Sequence, residues 1–366
     1  MDIIKVLVVD DSLVIREIIK ASLSSCSFIS VIGEAEDPFE ARDLIKKLNP
    51  DVLTLDVEMP KMDGITFLTN LMRLRPMPVV MLSTLTTKGA DITLQALELG
   101  ALDFIAKPSV EELVSTQSSF TENLINKVSQ AVTVDQKNFK LSSALSTKSS
   151  IKTLKFKGVK EDNHLIAIGA STGGTDAIRK ILIRLPENSP AIVITQHIPK
   201  TFSTRFAQRL NKLCKVRVHE ACHGQKIKQG HVYIAPGDKH LEVVEKSGTL
   251  FCILTDAEEV NRHKPAVDVL FNSLISLAHN TQAVLLTGMG QDGARSMLRL
   301  KEHGARTIIQ DKTSSLIWGM PGKAFELLAH TEEVPLLDIA QKLLSYAELD
   351  KKSMSKTLLK VKMKAG

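Results

Sequence analysis

Short apolar runs alternate with amphipathic stretches over the first part of the chain. The runs are rich in β-branched residues, and in the segments between them apolar residues recur every three or four positions. This pattern predicts strands at residues 5–10, 31–34, 52–56, 79–83 and 103–106. Strands separated by helices favour a parallel sheet with right-handed crossovers, so we expect five βα units, with a last helix over residues 110–132.

The alternation resumes at residue 164. Apolar runs at 165–169, 191–196, 283–288 and 306–310 predict buried strands. Runs at 231–235, 241–244 and 250–254 predict a hairpin-rich insertion, with a Pro-Gly-Asp turn at 236–238. The pattern therefore predicts a second doubly wound, mostly parallel α/β domain that carries a small antiparallel hairpin.

A stretch rich in Lys, Ser and Thr separates the two regions, and such a composition is typical of a flexible linker. We therefore predict a first domain at 1–125, a linker at 126–163, a second domain at 164–348 and a basic tail at 349–366.

The net charge of +6 raises the question of nucleic-acid binding. The excess lysines lie at residues 133–163 and 350–366, outside the predicted domains. Such segments are more typical of solubilising stretches than of a contact with an acidic partner, so we expect no nucleic-acid partner. The first residues do not resemble a signal peptide, no apolar run approaches the ~18 residues of a membrane span, and the four cysteines are scattered. We expect a cytoplasmic protein without membrane insertion.

Polar side chains end four predicted strands of the first region. They are Asp10 and Asp11 after the first strand, Asp56 at the third, Ser83 at the fourth and Lys107 after the fifth. The carboxyl ends of parallel strands share one crevice, so these groups should converge. Three carboxylates so close repel one another unless a hard cation lies among them, and Mg²⁺ prefers oxygen ligands. The sequence predicts a Mg²⁺ site made by the three aspartates.

This arrangement suits phosphoryl transfer. Asp56 would be the nucleophile, Mg²⁺ and Lys107 would neutralise the phosphoryl oxygens, and Ser83 would donate a hydrogen bond. Each residue has a structural alternative, since Asp11 and Ser12 could cap a helix and Lys107 could belong to a turn. Because suitable polar residues end four predicted strands at once, the pattern favours a site for phosphoryl transfer over these separate structural roles.

The stretch 165–179, LIAIGASTGGTDAIR, ends an apolar run in glycines around Ser171. It could be a phosphate-binding turn or a nucleophile elbow of the pattern G-x-S-x-G. A nucleotide site needs a G-x-G-x-x-G spacing or a Gly-Lys-Ser/Thr sequence, and an acidic residue after the next strand. Neither glycine pattern is present, and the next strand ends in Gln196 and His197. The pattern favours a hydrolase.

A serine hydrolase needs a base and an acid near the nucleophile. His197 follows the strand predicted at 191–196, and Asp292 lies in the turn after 283–288, so both share an edge with Ser171. The backbone N–H groups of Thr172 and Met289 could form the oxyanion hole. The order Ser, His, Asp differs from that of α/β-hydrolases, so we expect a different fold.

Alternatives remain open at several positions. Ser171 could be only a helix cap, and Asp311, after the strand predicted at 306–310, competes for the role of the acid. Residues 261–268 could form a cap or part of the substrate rim. The group Cys214, His219, Cys222 and His223 could suggest zinc, although its spacing fits no structural zinc site.

Residues 3–125 closely resemble the receiver domain of bacterial response regulators, through the aspartates and the residues Ser83 and Lys107 described above. The resemblance implies phosphorylation of Asp56 by a histidine kinase. It also implies that Ser83 and Phe104 are switch positions and that the Lys107–Pro108 bond is cis.

With the receiver in front, nearly all of residues 1–348 resembles the chemotaxis protein-glutamate methylesterases of the CheB family. The motifs are GASTGG at 169–174, TQH at 195–197, YIAPGD at 233–238, NRH at 261–263, Asp268 and TGMGQDGA at 287–294. The resemblance implies a triad of Ser171, His197 and Asp292, in agreement with the strand-end argument. It also implies demethylation of glutamyl methyl esters on chemoreceptors and deamidation of receptor glutamines, and it assigns no role to the basic tail.

Two other classes of protein fit the sequence less well. A phosphorylation-switched transcription factor needs a compact basic recognition element, whereas residues 164–348 offer alternating strands. A scaffold with an inactive hydrolase domain is disfavoured by the intact triad.

Overall fold

A computed structural model describes residues 3–84, 86–108, 117–134, 153–158 and 164–348. The chain divides into two compact units, Met1–Ser150 and Ile151–Gly366, each with its own parallel sheet. The basic tail predicted at 349–366 lies outside the described residues.

The first unit alternates strands and helices as the hydrophobic pattern predicts. Its strands are β1 (Ile4–Val9), β2 (Ile29–Ala35), β3 (Val52–Asp56), β4 (Val79–Ser83) and β5 (Asp103–Ala106). Its helices are α1 (Leu13–Ser24), α2 (Pro38–Leu48), α3 (Gly64–Leu74), α4 (Thr87–Glu98) and α5 (Gln117–Thr133). The strands form a parallel sheet in the order β2-β1-β3-β4-β5.

Local sequence explains where these helices start. The side chains of Ser12, Asp37, Asp63 and Thr86 each accept a backbone N–H of the first turn that follows, as helix caps do. Strands β3 and β4 are buried at every position, as expected for central strands covered on both faces. Helix α5 continues to Thr133, so the boundary predicted at residue 125 falls inside it, and the predicted start at residue 110 lies outside the described residues.

The second unit has a seven-stranded parallel sheet in the order β15-β14-β13-β6-β7-β10-β8. Its strands are β6 (Leu165–Ala170), β7 (Ala191–Gln196), β8 (Arg217–Glu220), β10 (His231–Ile234), β13 (Thr281–Leu285), β14 (Arg306–Gln310) and β15 (Glu332–Val334). A three-stranded antiparallel sheet contains β9 (Gln225–Lys226), β11 (His240–Lys246) and β12 (Thr249–Thr255).

Most helices of the second unit follow a parallel strand, whereas the helix at Val267–Ser273 follows β12 of the antiparallel sheet. The helices are α6 (Gly174–Leu182), α7 (Lys200–Leu213), α8 (Val267–Ser273), α9 (Ala294–Glu302), α10 (Met320–Glu326), α11 (Leu336–Ala347) and a 3₁₀ helix (Ile275–Asn280). From β6 the chain proceeds to β7 on one side and later returns to β13 on the other, so the direction of winding reverses beside β6. In doubly wound sheets, ligands bind at such a switch point, beyond the carboxyl ends of the strands. The predicted fold class is confirmed for both units.

One segment was assigned to the wrong sheet. Residues 231–235 were predicted to belong to the hairpin insertion, but β10 pairs in parallel with β7 and β8 in the main sheet. Val232, Tyr233 and Ile234 are all buried, and such a continuous buried run is typical of a central parallel strand rather than of a hairpin with one solvated face. The hairpin itself is formed by β11 and β12.

Two further expectations differ from the structure. The resemblance implied a cis bond at Lys107–Pro108, but the cis bond recorded among the described residues is Lys264–Pro265. Within the predicted linker, the described residues 153–158 bond to the second unit, because Leu154 N–H donates to Arg184 O at 2.8 Å.

In the described part of the chain, no helix combines the length and apolar character needed to cross a membrane.

Candidate active site

The first candidate site is an acidic cluster at the carboxyl edge of the first sheet. Carboxylate oxygens of Asp10, Asp11 and Asp56 lie within 4.8 Å of one another. Asp10 and Asp56 are buried and Asp11 is exposed, so the cluster opens to solvent on one side. The structure thus brings together the three aspartates that the strand ends predicted. A set of hard oxygen donors at this spacing suits Mg²⁺.

Lys107 lies within the same cluster. Its Nζ is 2.7 Å from Asp10 Oδ2 and 2.8 Å from Asp56 Oδ1. Burial opposes the charged form of this lysine, but the two carboxylates outweigh burial and raise the pKa of Lys107. The lysine supplies one positive charge against three carboxylates, so the pocket keeps a net negative charge that suits a divalent cation.

Burial dominates the titration of the two inner carboxyls. It raises the pKa of Asp56 to about 6 and also raises the pKa of Asp10, in both cases against the effect of Lys107. A raised carboxyl pKa in the folded state means that ionisation opposes folding, so this contribution to stability is full below the unfolded pKa and is lost as the pH rises through about 6. Above that pH the ionised Asp56 carboxylate therefore favours a bound cation.

The two predicted switch residues lie on the neighbouring strands. Ser83 ends β4 fully buried, and its Oγ donates to Thr84 O at 3.3 Å. Phe104 on β5 is buried, and Lys127 Nζ lies 5.4 Å from the centre of its ring. Ser83 adjoins the acidic cluster, because its carbonyl accepts Lys107 N–H at 2.8 Å. Phe104 contacts α5 through Lys127.

The second candidate site surrounds Ser171, directly after β6. Ala170 pairs with Gln196 at the end of β7, so Ser171 and His197 are the next residues on two adjacent strands. Gly173 has a φ of 77° and lets the chain turn sharply from Ser171 into α6. Gly288 lies so close that an added Cβ would be 2.7 Å from Ser171 Cβ, so only glycine fits there. The half-buried serine is held on a glycine-flanked turn, as in a nucleophile elbow.

Backbone hydrogen bonds hold this turn in place. Ser171 N–H donates to Thr287 O at 3.1 Å, and Gln196 Nε2 donates to Ser171 O at 2.9 Å. The hydroxyl of Thr287 donates to Thr172 O at 3.0 Å and accepts Ile317 N–H at 2.9 Å. The turn is thus fastened to both neighbouring strands of the sheet.

His197 and Asp292 form a buried pair. His197 Nε2 is 2.9 Å from Asp292 Oδ2, and their side chains are only 8% and 2% exposed. Burial alone would raise the pKa of Asp292, but the bonds from His197, Val267 N–H and Asn261 lower it. The carboxylate therefore accepts from Nε2–H, which leaves Nδ1 as the basic nitrogen. That nitrogen is buried and has no hydrogen-bond partner among the described residues.

Asp292 accepts two hydrogen bonds on each oxygen. Oδ2 accepts from His197 and from Val267 N–H at 2.6 Å. Oδ1 accepts from Asn261 Nδ2 at 2.8 Å and from Asp268 N–H at 3.1 Å. Such complete pairing fixes the direction of the carboxylate and hence the tautomer of the imidazole.

Residues that sequence reasoning left undecided also belong to this site. Asn261 bridges two carboxylates, because its Nδ2 also donates to Asp268 Oδ2 at 2.7 Å. The His263 ring stacks on the His197 ring, with centroids 3.7 Å apart and planes 18° apart. The segment 261–268, predicted as either a cap or a rim, therefore lies against the triad residues. Its polar Asn-Arg-His sequence was the available signal, but spacing gave no indication of which partners these side chains have.

The predicted oxyanion-hole residues flank Ser171 on two sides. Thr172 directly follows the serine and is buried, whereas Met289 follows Gly288 and is 43% exposed. The two residues therefore lie on two turns that meet at Ser171.

Two alternatives do not join the site. Asp311 Oδ1 accepts Ser314 N–H at 3.1 Å and also bonds the Ser314 hydroxyl, so it stabilises its own turn. Within the described ranges, the group of side chains close enough to hold a metal consists of Asp10, Asp11 and Asp56. His219 instead bonds His231 at 2.9 Å, and Cys222 is exposed.

Both halves of the chain are similar to known protein families. A model of the CheB methylesterase family matches residues 166–343, and a model of the response regulator receiver domain matches residues 6–117. A protein-glutamate methylesterase/protein-glutamine glutaminase of Hydrogenovibrio crunogenus is 48% identical over 373 residues, covering 94% of this chain and 99% of the relative. One from Photorhabdus laumondii is 49% identical over 348 residues, covering 94% and 97%. The crystal structure of the Thermotoga maritima CheB methylesterase catalytic domain matches with a TM-score of 0.50 and 35% identity, covering 51% of this chain and all of that domain.

Proposed function

Because the chain belongs to the CheB family of protein-glutamate methylesterases/protein-glutamine glutaminases, we propose that Ser171, His197 and Asp292 are its catalytic triad. The protein is a response regulator with a hydrolase domain, and it removes methyl groups from protein glutamyl esters and deamidates glutamines in chemotaxis. The observation that carries the proposal is the 2.9 Å bond from His197 to buried Asp292, which leaves the opposite imidazole nitrogen available to Ser171.

In the proposed reaction, Ser171 Oγ attacks the ester carbonyl carbon while His197 Nδ1 takes the hydroxyl proton. Asp292 stabilises the imidazolium that forms. The tetrahedral intermediate collapses, the C–O bond to the methoxy group breaks, and the proton held by His197 leaves with methanol. Water then attacks the acyl-serine by the same route, and the glutamate carboxylate is released. With a glutamine substrate, ammonia takes the place of methanol.

The developing oxyanion needs donors that are already in place. The backbone N–H groups of Thr172 and Met289 are our candidates, because they flank Ser171 on two turns held by hydrogen bonds to Thr287 and Gly288. The exposed side chain of Met289 lies at the entrance to the site, where the substrate polypeptide has to approach.

At the receiver, we propose that Asp56 accepts the phosphoryl group and that Asp10, Asp11 and Asp56 hold Mg²⁺. When bound, the cation neutralises charge on the phosphoryl oxygens. Lys107 is placed to bind the same oxygens, and Ser83 can turn its hydroxyl to donate to them. The phosphodonor is a histidine kinase of the chemotaxis array, the substrates are methylated chemoreceptors, and both meet the protein in the cytoplasm.

Asp56→Asn should abolish labelling of the chain by a small phosphodonor such as acetyl phosphate. The amide lacks a nucleophilic carboxylate. The other buried carboxylate, Asp10, has both oxygens bonded, Oδ2 to Lys107 at 2.7 Å and Oδ1 to Ser12 N–H at 3.0 Å, whereas the bonds from Lys107 and Glu58 N–H to Asp56 both go to Oδ1. Phosphate incorporation is measured by intact mass with and without Mg²⁺, and removal of Mg²⁺ should also abolish it.

Asp51→Asn is the matched control, because Asp51 directly precedes β3 at the opposite end from Asp56. It should label normally. Incorporation that persists in Asp56→Asn would assign the phosphoryl group to another residue, and labelling without any divalent cation would contradict the metal site.

We further propose that the receiver restrains the hydrolase until Asp56 is phosphorylated. Phosphorylation would shift the population toward an active form, and each tenfold change in that equilibrium needs about 1.4 kcal/mol. Removal of residues 1–150 should therefore raise the rate of methanol release above that of the unphosphorylated chain. Full-length Asp56→Asn should keep the low rate in the presence of phosphodonor. A truncated protein no faster than the unphosphorylated chain would show that the receiver is not inhibitory.

A further inference from the structure

We propose that His240, at the start of β11, is a positioning residue for the catalytic triad. This inference rests on the proposed function of Ser171, His197 and Asp292. The His240 side chain is completely buried, and both of its ring nitrogens bond the backbone of the segment 258–266, which we term the triad loop. Nδ1 lies 3.1 Å from Ala266 N, and Nε2 lies 2.9 Å from Glu258 O.

The partners of His240 define its tautomer. A backbone N–H can only donate, so Nδ1 has to accept from Ala266, and a carbonyl can only accept, so Nε2 carries the proton given to Glu258. Only a neutral imidazole with its hydrogen on Nε2 satisfies both partners. The ring therefore ties the two ends of the triad loop together across its base.

Three contacts to the triad come from the triad loop and the residue that follows it. Asn261 Nδ2 donates to Asp292 Oδ1 at 2.8 Å, and the His263 ring stacks on His197 at 3.7 Å. Val267, next to the residue that His240 holds, donates its N–H to Asp292 Oδ2 at 2.6 Å. The bond from Val267 is the shortest of the four hydrogen bonds to Asp292. Because Val267 is bonded to Ala266 in the chain, a movement of Ala266 would displace it directly.

The triad loop needs such an anchor because its own backbone is strained. Asn261 and Arg262 have φ values of 55° and 64°, in the left-handed region that costs energy for residues with side chains. Both residues are exposed, and inside the loop Val260 and His263 pair through their backbones in an isolated bridge. We infer that His240 transmits the rigidity of the β11–β12 hairpin to Asp292 and His197.

The test compares three variants of the full-length chain. His240→Phe keeps a buried ring but removes both hydrogen bonds. His240→Asn retains an oxygen in place of Nδ1 for Ala266, whereas His240→Gln retains an amide that can reach Glu258. The matched control is His164→Phe, because His164 precedes β6 at the opposite end of the sheet from Ser171 and bonds the Gln282 side chain.

The expected loss in kcat for methanol release is about 10²-fold in His240→Phe, the size of effect that a 1 Å misplacement of catalytic groups can produce. KM should change much less, and labelling of Ser171 by a fluorophosphonate should slow in parallel with kcat. His240→Asn should recover most of kcat and His240→Gln should not, because the bond to Ala266 leads directly to Val267 and Asp292. His164→Phe should lower the melting temperature but leave kcat unchanged.

Unchanged kcat in a folded His240→Phe protein would overturn the inference. If that variant does not fold, equal kcat values for the Asn and Gln variants would overturn it instead. A failure of the triad assignment is distinguishable, because Ser171→Ala would then remain active whatever His240 does.

Discussion

Ser171→Ala should reduce methanol release from methylated receptor by at least about 10⁴-fold, the largest effect that we expect from a single substitution. The hydroxyl is the nucleophile in the proposed reaction, and Ser171 directly follows β6 beside His197. The next hydroxyl on that turn belongs to Thr172, which is buried. The fold should persist, because the turn is held through the Ser171 backbone N–H and C=O, which alanine retains. Methanol is measured directly, with receptor deamidation as a second readout.

Ser189→Ala is the matched control. Ser189 precedes β7 at the opposite end of the sheet, where its hydroxyl donates to Pro186 O at 2.6 Å. It should cost some stability and leave the rate unchanged. A Ser171→Ala protein that still releases methanol at nearly the original rate would remove Ser171 from the mechanism.

Asp292→Asn should lower the rate by about 10⁴-fold, because an amide cannot hold the imidazole in the tautomer that leaves Nδ1 basic. The structure adds a cost in stability. Each oxygen of Asp292 accepts two N–H donors, so the new NH₂ group faces two donors whichever way the amide turns. We expect a loss of about 1–3 kcal/mol in the free energy of unfolding, measured by denaturant titration beside the kinetics.

Asp311→Asn is the control variant. It tests whether the loss of rate in Asp292→Asn is specific to Asp292 or follows from the loss of any carboxylate at this edge of the sheet. Asp311 follows β14 and was the competing acid, but its carboxylate bonds Ser314. That variant should keep the full rate. If Asp311→Asn were inactive and Asp292→Asn active, the assignment of the acid would be reversed.

The sequence was sufficient to bring Ser171, His197 and Asp292 to one edge because each follows a buried apolar run, and parallel strands bring their carboxyl ends together. The same rule gathered Asp10, Asp11, Asp56 and Lys107 in the receiver. These predictions needed only the direction of each strand and not the conformation of any loop.

The conformation of the loops could not be predicted from the sequence. The bond from Asn261 to Asp292 depends on left-handed backbone at Asn261 and Arg262, and no hydrophobic period marks such a turn. The role of His240 is similarly hidden, because a buried histidine at a strand start has the same local sequence whether or not it holds a distant loop.

The error at β10 has a different cause. Residues 231–235 lie between turn-rich segments and close to the hairpin in sequence, so sequence proximity favoured the wrong sheet. Strand β10 lies between β7 and β8, where Val232, Tyr233 and Ile234 are buried on both faces of the sheet. This burial depends on neighbours that are distant in the chain, so the local sequence does not reveal it.

The central claim is that Ser171 becomes covalently acylated with His197 as its base. Peptide mass spectrometry of the full-length chain after treatment with a fluorophosphonate tests it most directly, with methanol release followed in the same samples. The account predicts one adduct, on Ser171, that grows in step with the loss of activity and that is greatly slowed in His197→Ala. Complete loss of activity with the adduct on another residue, or labelling of Ser171 that leaves methanol release intact, would contradict it.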